Sequence, residues 1–340
     1  MRWLALLLTV VLTAAACARF DDRLDDPFTP APPPGMGAAP PSSPPDQSPP
    51  TSEPGESPPP PEQGPCVDPD PAVIATCLDP VRAVTGLGER ALVAEASGAV
   101  SVVAIDAPPE DFGRVDPGDG RVVAAATSPD YAEDRLVYVL VVGDGPSRVE
   151  RLARGDSPTT VAELPPASTG GLVFVDEVLT VAAGSEVVRF PDFSGIGRAE
   201  RADVVTRDVG EVHGLCTHGE DLYMSALTER GVVARTPDHV VWTWPDQQSV
   251  GGCAATDSTL SLALPDSMRV DSLPMAGGAS RGQPQPVVEE DYGRITGLAA
   301  VGDGVLLGGT TNKGGGSPVE TDDRVVVLPN SGDGGGDART

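Results

Sequence analysis

Positive charge is what this sequence has least of. Its 340 residues carry 23 Lys and Arg against 50 Asp and Glu, for a formal net charge of −27. That balance excludes nucleic acid and anionic lipid as partners held by charge. Lysine is almost missing: Lys313 is the single one, and every other basic residue is Arg. The bias points to a high-GC genome. Aromatic residues make up 4% of the chain, and the histidines are three: His213, His218 and His239. Candidates for a base or a metal ligand are correspondingly few. No amphipathic helical stretch of useful length separates the apolar runs, which argues against α/β layering. A Gly-rich phosphate loop followed by Lys is absent, as is a Gly-x-Ser-x-Gly elbow.

What the sequence does have is a repeat. Six segments begin with a small residue or Gly and run into a short apolar strand. Their anchors are Gly86, Ala125, Gly171, Gly214, Gly252 and Gly297, which gives steps of 39, 46, 43, 38 and 45 residues. A second run follows each anchor, as in Leu136–Leu140 or Thr259–Leu264, and then a third, as in Arg148–Leu152 or Arg324–Leu328. Most of these alternate apolar and polar residues, the period of a half-buried strand. Several repeats close on a further run such as His239–Trp242. Four strands per period of about forty predict an all-β fold, a six-bladed β-propeller. Glycine at the anchors suits strands crowding a central channel, where backbones approach closely. The rival reading is a pair of β-sandwiches with coincidental spacing.

The ends of the chain predict export. Met1-Arg2 followed by the uncharged Trp3–Ala16 reads as a signal segment too short to span a bilayer. Leu12-Thr-Ala-Ala-Ala-Cys17 resembles a bacterial lipobox, with Ala14 where Leu is usual. On this reading residues 1–16 are cleaved and Cys17 carries the lipid that anchors the protein to the membrane. An ordinary secretory signal with an incidental Cys is the alternative. Residues 17–65 form a linker, with seventeen prolines between Ala18 and Pro65. So Pro-rich a stretch cannot bury a core and favours disorder and extended polyproline II. At roughly 3.1 Å per residue it spans on the order of 100 Å, enough to cross a thick cell wall. Lipobox, spacer and Arg bias together predict an actinobacterial cell envelope. The propeller occupies residues 66–329, and the Gly- and Asp-rich residues 330–340 read as a disordered tail.

Four cysteines remain beyond Cys17: Cys66, Cys77, Cys216 and Cys253. In an exported protein an even number suggests two disulfides. Three connectivities exist. Cys66–Cys77 is favoured because the two are close in sequence at the domain's start. Cys216–Cys253 is favoured because each follows the anchor glycine of adjacent repeats. Two buried thiols are the alternative for the second pair.

The wording of Ser128-Pro129-Asp130-Tyr131 and Arg135-Leu136-Val137-Tyr138 resembles the second-blade signature of the soluble glucose/sorbosone dehydrogenases. Ser147–Leu152 is similar to that family's next strand, and His213-Gly214-Leu215 to a later opening motif. The resemblance implies a six-bladed propeller that oxidises sugars with pyrroloquinoline quinone (PQQ) and calcium. The chain departs from the family where the chemistry sits. The family's catalytic His opens the third blade in a His-Asn-Gly-Gly-type run, and here that run is Ser168-Thr169-Gly170-Gly171. Neither hydroxyl titrates near neutrality unaided. The run before the fourth opening, Gly210-Glu211-Val212-His213, lacks the family's Asn and Pro.

Other constellations carry less. His213 and His218, with Glu220 and Asp221 nearby, could hold zinc, but residues five apart on a strand and turn rarely meet at one centre. Asp116-Pro-Gly-Asp119-Gly120 could wrap calcium and reads more simply as a turn. Trp242 and Trp244 share one strand face, as core or as a sugar-stacking rim.

Three functions follow. The leading one is an anchored lipoprotein whose sugar-dehydrogenase-like propeller has lost catalysis and binds a small ligand or envelope protein, with no cofactor or metal. The second is a PQQ- and calcium-dependent sugar dehydrogenase whose base has moved, His213 being the one central candidate. The third is an envelope scaffold whose channel is filled by side chains.

Overall fold

The computed structural model describes residues 66–329 apart from 106, 194, 196, 302–304 and 315–320. The signal segment, Cys17, the linker and the tail therefore lie outside the described residues. Six antiparallel sheets make up the fold, as the forty-residue period requires. The first blade runs Val81–Leu87, Arg90–Glu95, Ala99–Ala104 and Ala107–Arg114 from the axis outward. The next four open with inner strands Arg121–Thr127, Gly170–Val175, Glu211–His218 and Cys253–Ala255. The fifth of these sheets carries an extra two-residue edge strand, Ala279–Ser280.

The sixth blade is composite. Ile295–Val301, Val305–Thr310 and Val325–Pro329 come from the C-terminal end. Its outermost strand, Val73–Ala75, comes from the start of the domain and pairs antiparallel with Val325–Pro329. The ring is thus closed by hydrogen bonds between the two ends of the domain. Two strands carry too little pattern to be read from sequence. Val73–Ala75 is three residues long, and Ala107–Arg114 is an exposed edge strand rich in Pro and acid, residues that the interior of a sheet disfavours.

The core is a ring rather than a ball. Buried side chains form six clusters, one in each seam between neighbouring sheets. In Arg90–Glu95, Leu92 and Ala94 face the seam with the second blade while Ala91 and Val93 face the sixth. Middle strands are covered on both faces, so they read as continuous apolar runs; all six residues of Val137–Val142 are buried.

Hydrogen bonds cross every seam. Thr85 donates to the Ala125 carbonyl, the Arg121 guanidinium to the Ser168 carbonyl, and the Val212 amide to the Gly184 carbonyl. Ser225 donates to the Gly251 carbonyl, the Gly252 amide to the Thr296 carbonyl, and Thr296 to the Val81 carbonyl. The anchor glycines have the packing reason expected of them. A Cβ on Gly214 would stand 2.7 Å from the Gly252 Cα, and one on Gly171 would stand 2.6 Å from the Leu215 amide nitrogen.

Both favoured disulfides are present, Cys66–Cys77 and Cys216–Cys253. Cys216 and Cys253 lie on the inner strands of adjacent blades with Cα atoms 5.7 Å apart, within the reach of a disulfide. The alternative of two buried thiols is overturned. Trp244 belongs to the core: it is buried, and its indole N–H donates to Asp271 at 2.8 Å. Asp116 accepts the Gly118 amide in a tight turn, which accounts for the Asp116–Gly120 run.

Candidate functional site

The inner strands run roughly parallel to the axis, so their first residues converge at one mouth of the channel. Every blade contributes to that mouth. Arg82 comes from the first, Arg121 from the second, Thr169 from the third, His213 from the fourth, Gly251 from the fifth and Thr296 from the sixth. They enclose a cavity of about 120 Å³. Below it lies an axial cavity of about 370 Å³, lined mostly by Gly, Ala, Val and Leu with Thr85, Thr127, Thr217 and Phe174, and sharing Arg82 and His213 with the mouth. The channel is therefore open, and the filled-channel premise of a pure scaffold does not hold.

Three polar atoms at the mouth are buried without a partner: the Arg82 Nε, the Thr169 Oγ1 and the His213 Nε2. Among the described residues, Arg82 and Arg121 form no ion pair and no carboxylate lines the mouth cavity. Burial lowers the Arg82 guanidinium from its usual value, and the charges of Arg121 and Arg294 push it further down, against Asp323. Burial likewise lowers His213; Glu211 works against this, while Arg121 and Arg82 reinforce it. The imidazole is thus held neutral near pH 7 with Nε2 free. In a chain of net charge −27, the channel mouth is a pocket of concentrated positive charge.

The sequence-derived candidates separate cleanly. Ser168, Thr169 and His213 meet in this one cavity. The family's base position is occupied by hydroxyls, yet an imidazole from the fourth blade reaches the same hole. The case for lost catalysis therefore cannot rest on a missing imidazole. His218 is at the other end of its strand, its Nε2 2.5 Å from an Asp257 carboxylate oxygen, and His239 contacts Thr236. Among the described residues no cluster of three metal-ligating side chains exists. Cys216 and Cys253 line the axial cavity as a disulfide. Sequence reasoning missed Arg82 and Arg121. Their signal was available: each is a basic residue at the start of an inner strand, whereas the other inner strands open on Gly170, Glu211, Cys253 and Ile295.

Of the family-like wording, His213-Gly214-Leu215 lines the site, but the second-blade motif sits elsewhere. Ser128 follows the inner strand whose first residue is Arg121, roughly 20 Å away at 3.3 Å per residue. There Ser128 donates to Asp134 at 2.6 Å, and Tyr131–Asp134 forms one helical turn. Tyr138 packs edge-on against Phe174 and Phe193. This motif builds the fold at the opposite mouth and touches none of the site.

No protein-family model and no curated protein matches the sequence. Solved structures do match. A PQQ-bound aldose sugar dehydrogenase from Streptomyces coelicolor is 21% identical, with a TM-score of 0.64 over 76% of this chain and 96% of that one. A putative oxidoreductase (glucose dehydrogenase) from Thermus thermophilus is 20% identical, with a TM-score of 0.60 over 75% and 98%. A nidogen/laminin complex also matches, at 12% identity and a TM-score of 0.50 over 70% and 96%. The chain accordingly has the six-bladed propeller fold of the PQQ-dependent aldose and glucose dehydrogenases, a fold it shares with proteins of other kinds.

Proposed function

We propose that this protein is an exported, lipid-anchored propeller that has lost sugar oxidation and binds a ligand at its cationic axial mouth. Two disulfides support export, since such bonds persist in oxidising compartments. The lipobox-like run ending at Cys17 supports the anchor to an actinobacterial cell membrane, and the Pro-rich residues 18–65 support a spacer that carries the propeller away from it.

The observation that carries the reading is the character of the mouth. PQQ with calcium, which the fold relatives suggest, does not fit it. The axial cavity of about 370 Å³ below the mouth reaches the roughly 300 Å³ that a cofactor-sized ligand takes, so the misfit lies in the donor groups and not in the space. Calcium needs six to eight oxygen ligands, usually including carboxylates. Here no carboxylate lines the cavity and the charged neighbours are guanidinium groups. We therefore derive no oxidation step for this chain.

One observation favours a second reading. The free Nε2 of a neutral His213 is what a general base for a sugar hydroxyl would need. The two readings separate in one assay. The purified full-length chain is incubated with PQQ and calcium, and aldoses are offered with a dye acceptor. We expect no turnover above a protein-free control. Turnover that disappears in His213→Ala would replace the binding reading with a dehydrogenase whose base lies on the fourth blade.

A further inference from the structure

We infer that the axial mouth is an oxyanion site, taking the carboxylate or phosphate group of a small ligand between Arg82, Arg121 and His213. The inference deepens the binding role proposed above and rests on it. Three observations carry it. First, the hydrogen-bonding atoms at the mouth are unspent. The Arg82 Nε and the His213 Nε2 are buried without a partner and belong to one cavity, as does the Thr169 Oγ1. Buried donors are nearly always satisfied, so three orphans around one hole mark a place where something else accepts. Second, the charge is uncompensated. Arg82 and Arg121 have no ion-pair partner among the described residues, although the chain carries 50 acidic side chains. Several arginines elsewhere are paired, as Arg154 with Glu110 or Arg198 with Glu163, whereas these two stand at one cavity that no carboxylate among the described residues lines. Third, the size is that of a small group. About 120 Å³ at the mouth is room for an oxyanion group, with the axial cavity of about 370 Å³ below it for the rest of a small ligand.

The guanidinium groups match an oxyanion in shape as well as charge. Their donors lie in a plane and can grip two oxygens at once, here from two adjacent blades. Arg121 already donates one N–H to the Ser168 carbonyl, which fixes its head at the rim. A bound oxyanion would also draw a proton onto His213. The groups facing that imidazole are Glu211, which favours its charged form, and Arg121 and Arg82, which oppose it. An anion between them removes the opposition. Affinity should therefore rise as the pH falls from 8 to 6.

Calorimetry on the full-length chain tests this, with inorganic phosphate and acetate as separate probes and ionic strength held constant with chloride. We expect saturable binding of at least one. Phosphate alone would assign a phosphoryl group, and acetate alone or both would assign a carboxylate-sized site. Arg82→Gln should weaken binding about tenfold or more, the cost of losing a charge-assisted bond. His213→Gln should abolish the rise in affinity between pH 8 and 6. The thermal midpoint of ligand-free Arg82→Gln should be equal to or above that of the wild type, since an unpaired buried charge has been removed. A merely structural arginine would lower it. Absence of saturable binding of both probes to the wild-type protein overturns the inference, as does unchanged affinity in Arg82→Gln. Those results leave the dehydrogenase assay untouched, so the two failures are distinguishable.

Discussion

Replacing Gly214 by Ala tests the crowding of inner strands that lets this chain close as a ring. A Cβ at that position would stand 2.7 Å from the Gly252 Cα, 2.9 Å from the Ser225 Oγ and 3.1 Å from the Cys253 amide nitrogen. Two of these are backbone atoms of the next blade and cannot swing aside. Forcing a methyl group into such a place costs about 1–3 kcal/mol. Displacing Ser225 also loosens its 2.6 Å bond to the Gly251 carbonyl, worth about another 1 kcal/mol. Against this, alanine restricts the unfolded chain and returns about 0.4–1 kcal/mol. The net loss is about 1–3 kcal/mol, a fall in thermal midpoint of roughly 2–9 °C for a domain of this size. Gly145 is the control. No atom lies within 4 Å of its would-be Cβ, and its backbone is not left-handed. Gly145→Ala should leave the midpoint unchanged or slightly raised. Scanning calorimetry of the two variants decides. If Gly214→Ala melts with or above Gly145→Ala, close approach at the axis is not why glycine stands there.

The disulfides should differ in worth. Cys216–Cys253 spans 37 residues and Cys66–Cys77 spans 11, which by chain entropy gives about 4 and 3 kcal/mol. The double Ser variant of the first pair should therefore unfold at lower denaturant than that of the second; the reverse order in urea titrations would show that strand geometry rather than loop length dominates. His213 should contribute an acid-sensitive part of the stability. Its folded value lies below its unfolded one, so the unfolded state takes up protons first. Stability is then present above about pH 6.5 and is lost as the pH falls below it. Glu95 and Asp323 act in the other sense, because burial raises both; they become less unfavourable as the pH falls toward 4. His213→Gln should flatten the decline between pH 6.5 and 5, read as the thermal midpoint against pH, whereas an unaltered profile would mean that another group titrates there.

The architecture was legible because a propeller writes its period into local composition. Gly171, Gly214, Gly252 and Gly297 recur where neighbouring backbones touch, and middle strands such as Val137–Val142 are apolar throughout because both faces are covered. The Cys216–Cys253 disulfide followed from the same periodicity, since the two take equivalent places on adjacent inner strands, and Cys66–Cys77 followed from closeness in sequence. The site was only half legible. Ser168, Thr169 and His213 were found through a motif, but Arg82 and Arg121 lie 39 residues apart in sequence and meet only around the axis. No local pattern announces that two arginines of adjacent blades will line one cavity with no carboxylate among the described lining residues. The outermost strand Val73–Ala75 escaped for a similar reason: its partner, Val325–Pro329, is some 250 residues away, and three residues carry no period.

That borrowed strand sets the order in which the molecule can be finished. The polypeptide emerges from the ribosome N-terminus first, so Val73–Ala75 is made before any of the strands it must join. It waits through five complete sheets until Val325–Pro329 appears. A chain cut short anywhere before that point is left with a gap in the circle, an unpaired edge at either side and no way to seal.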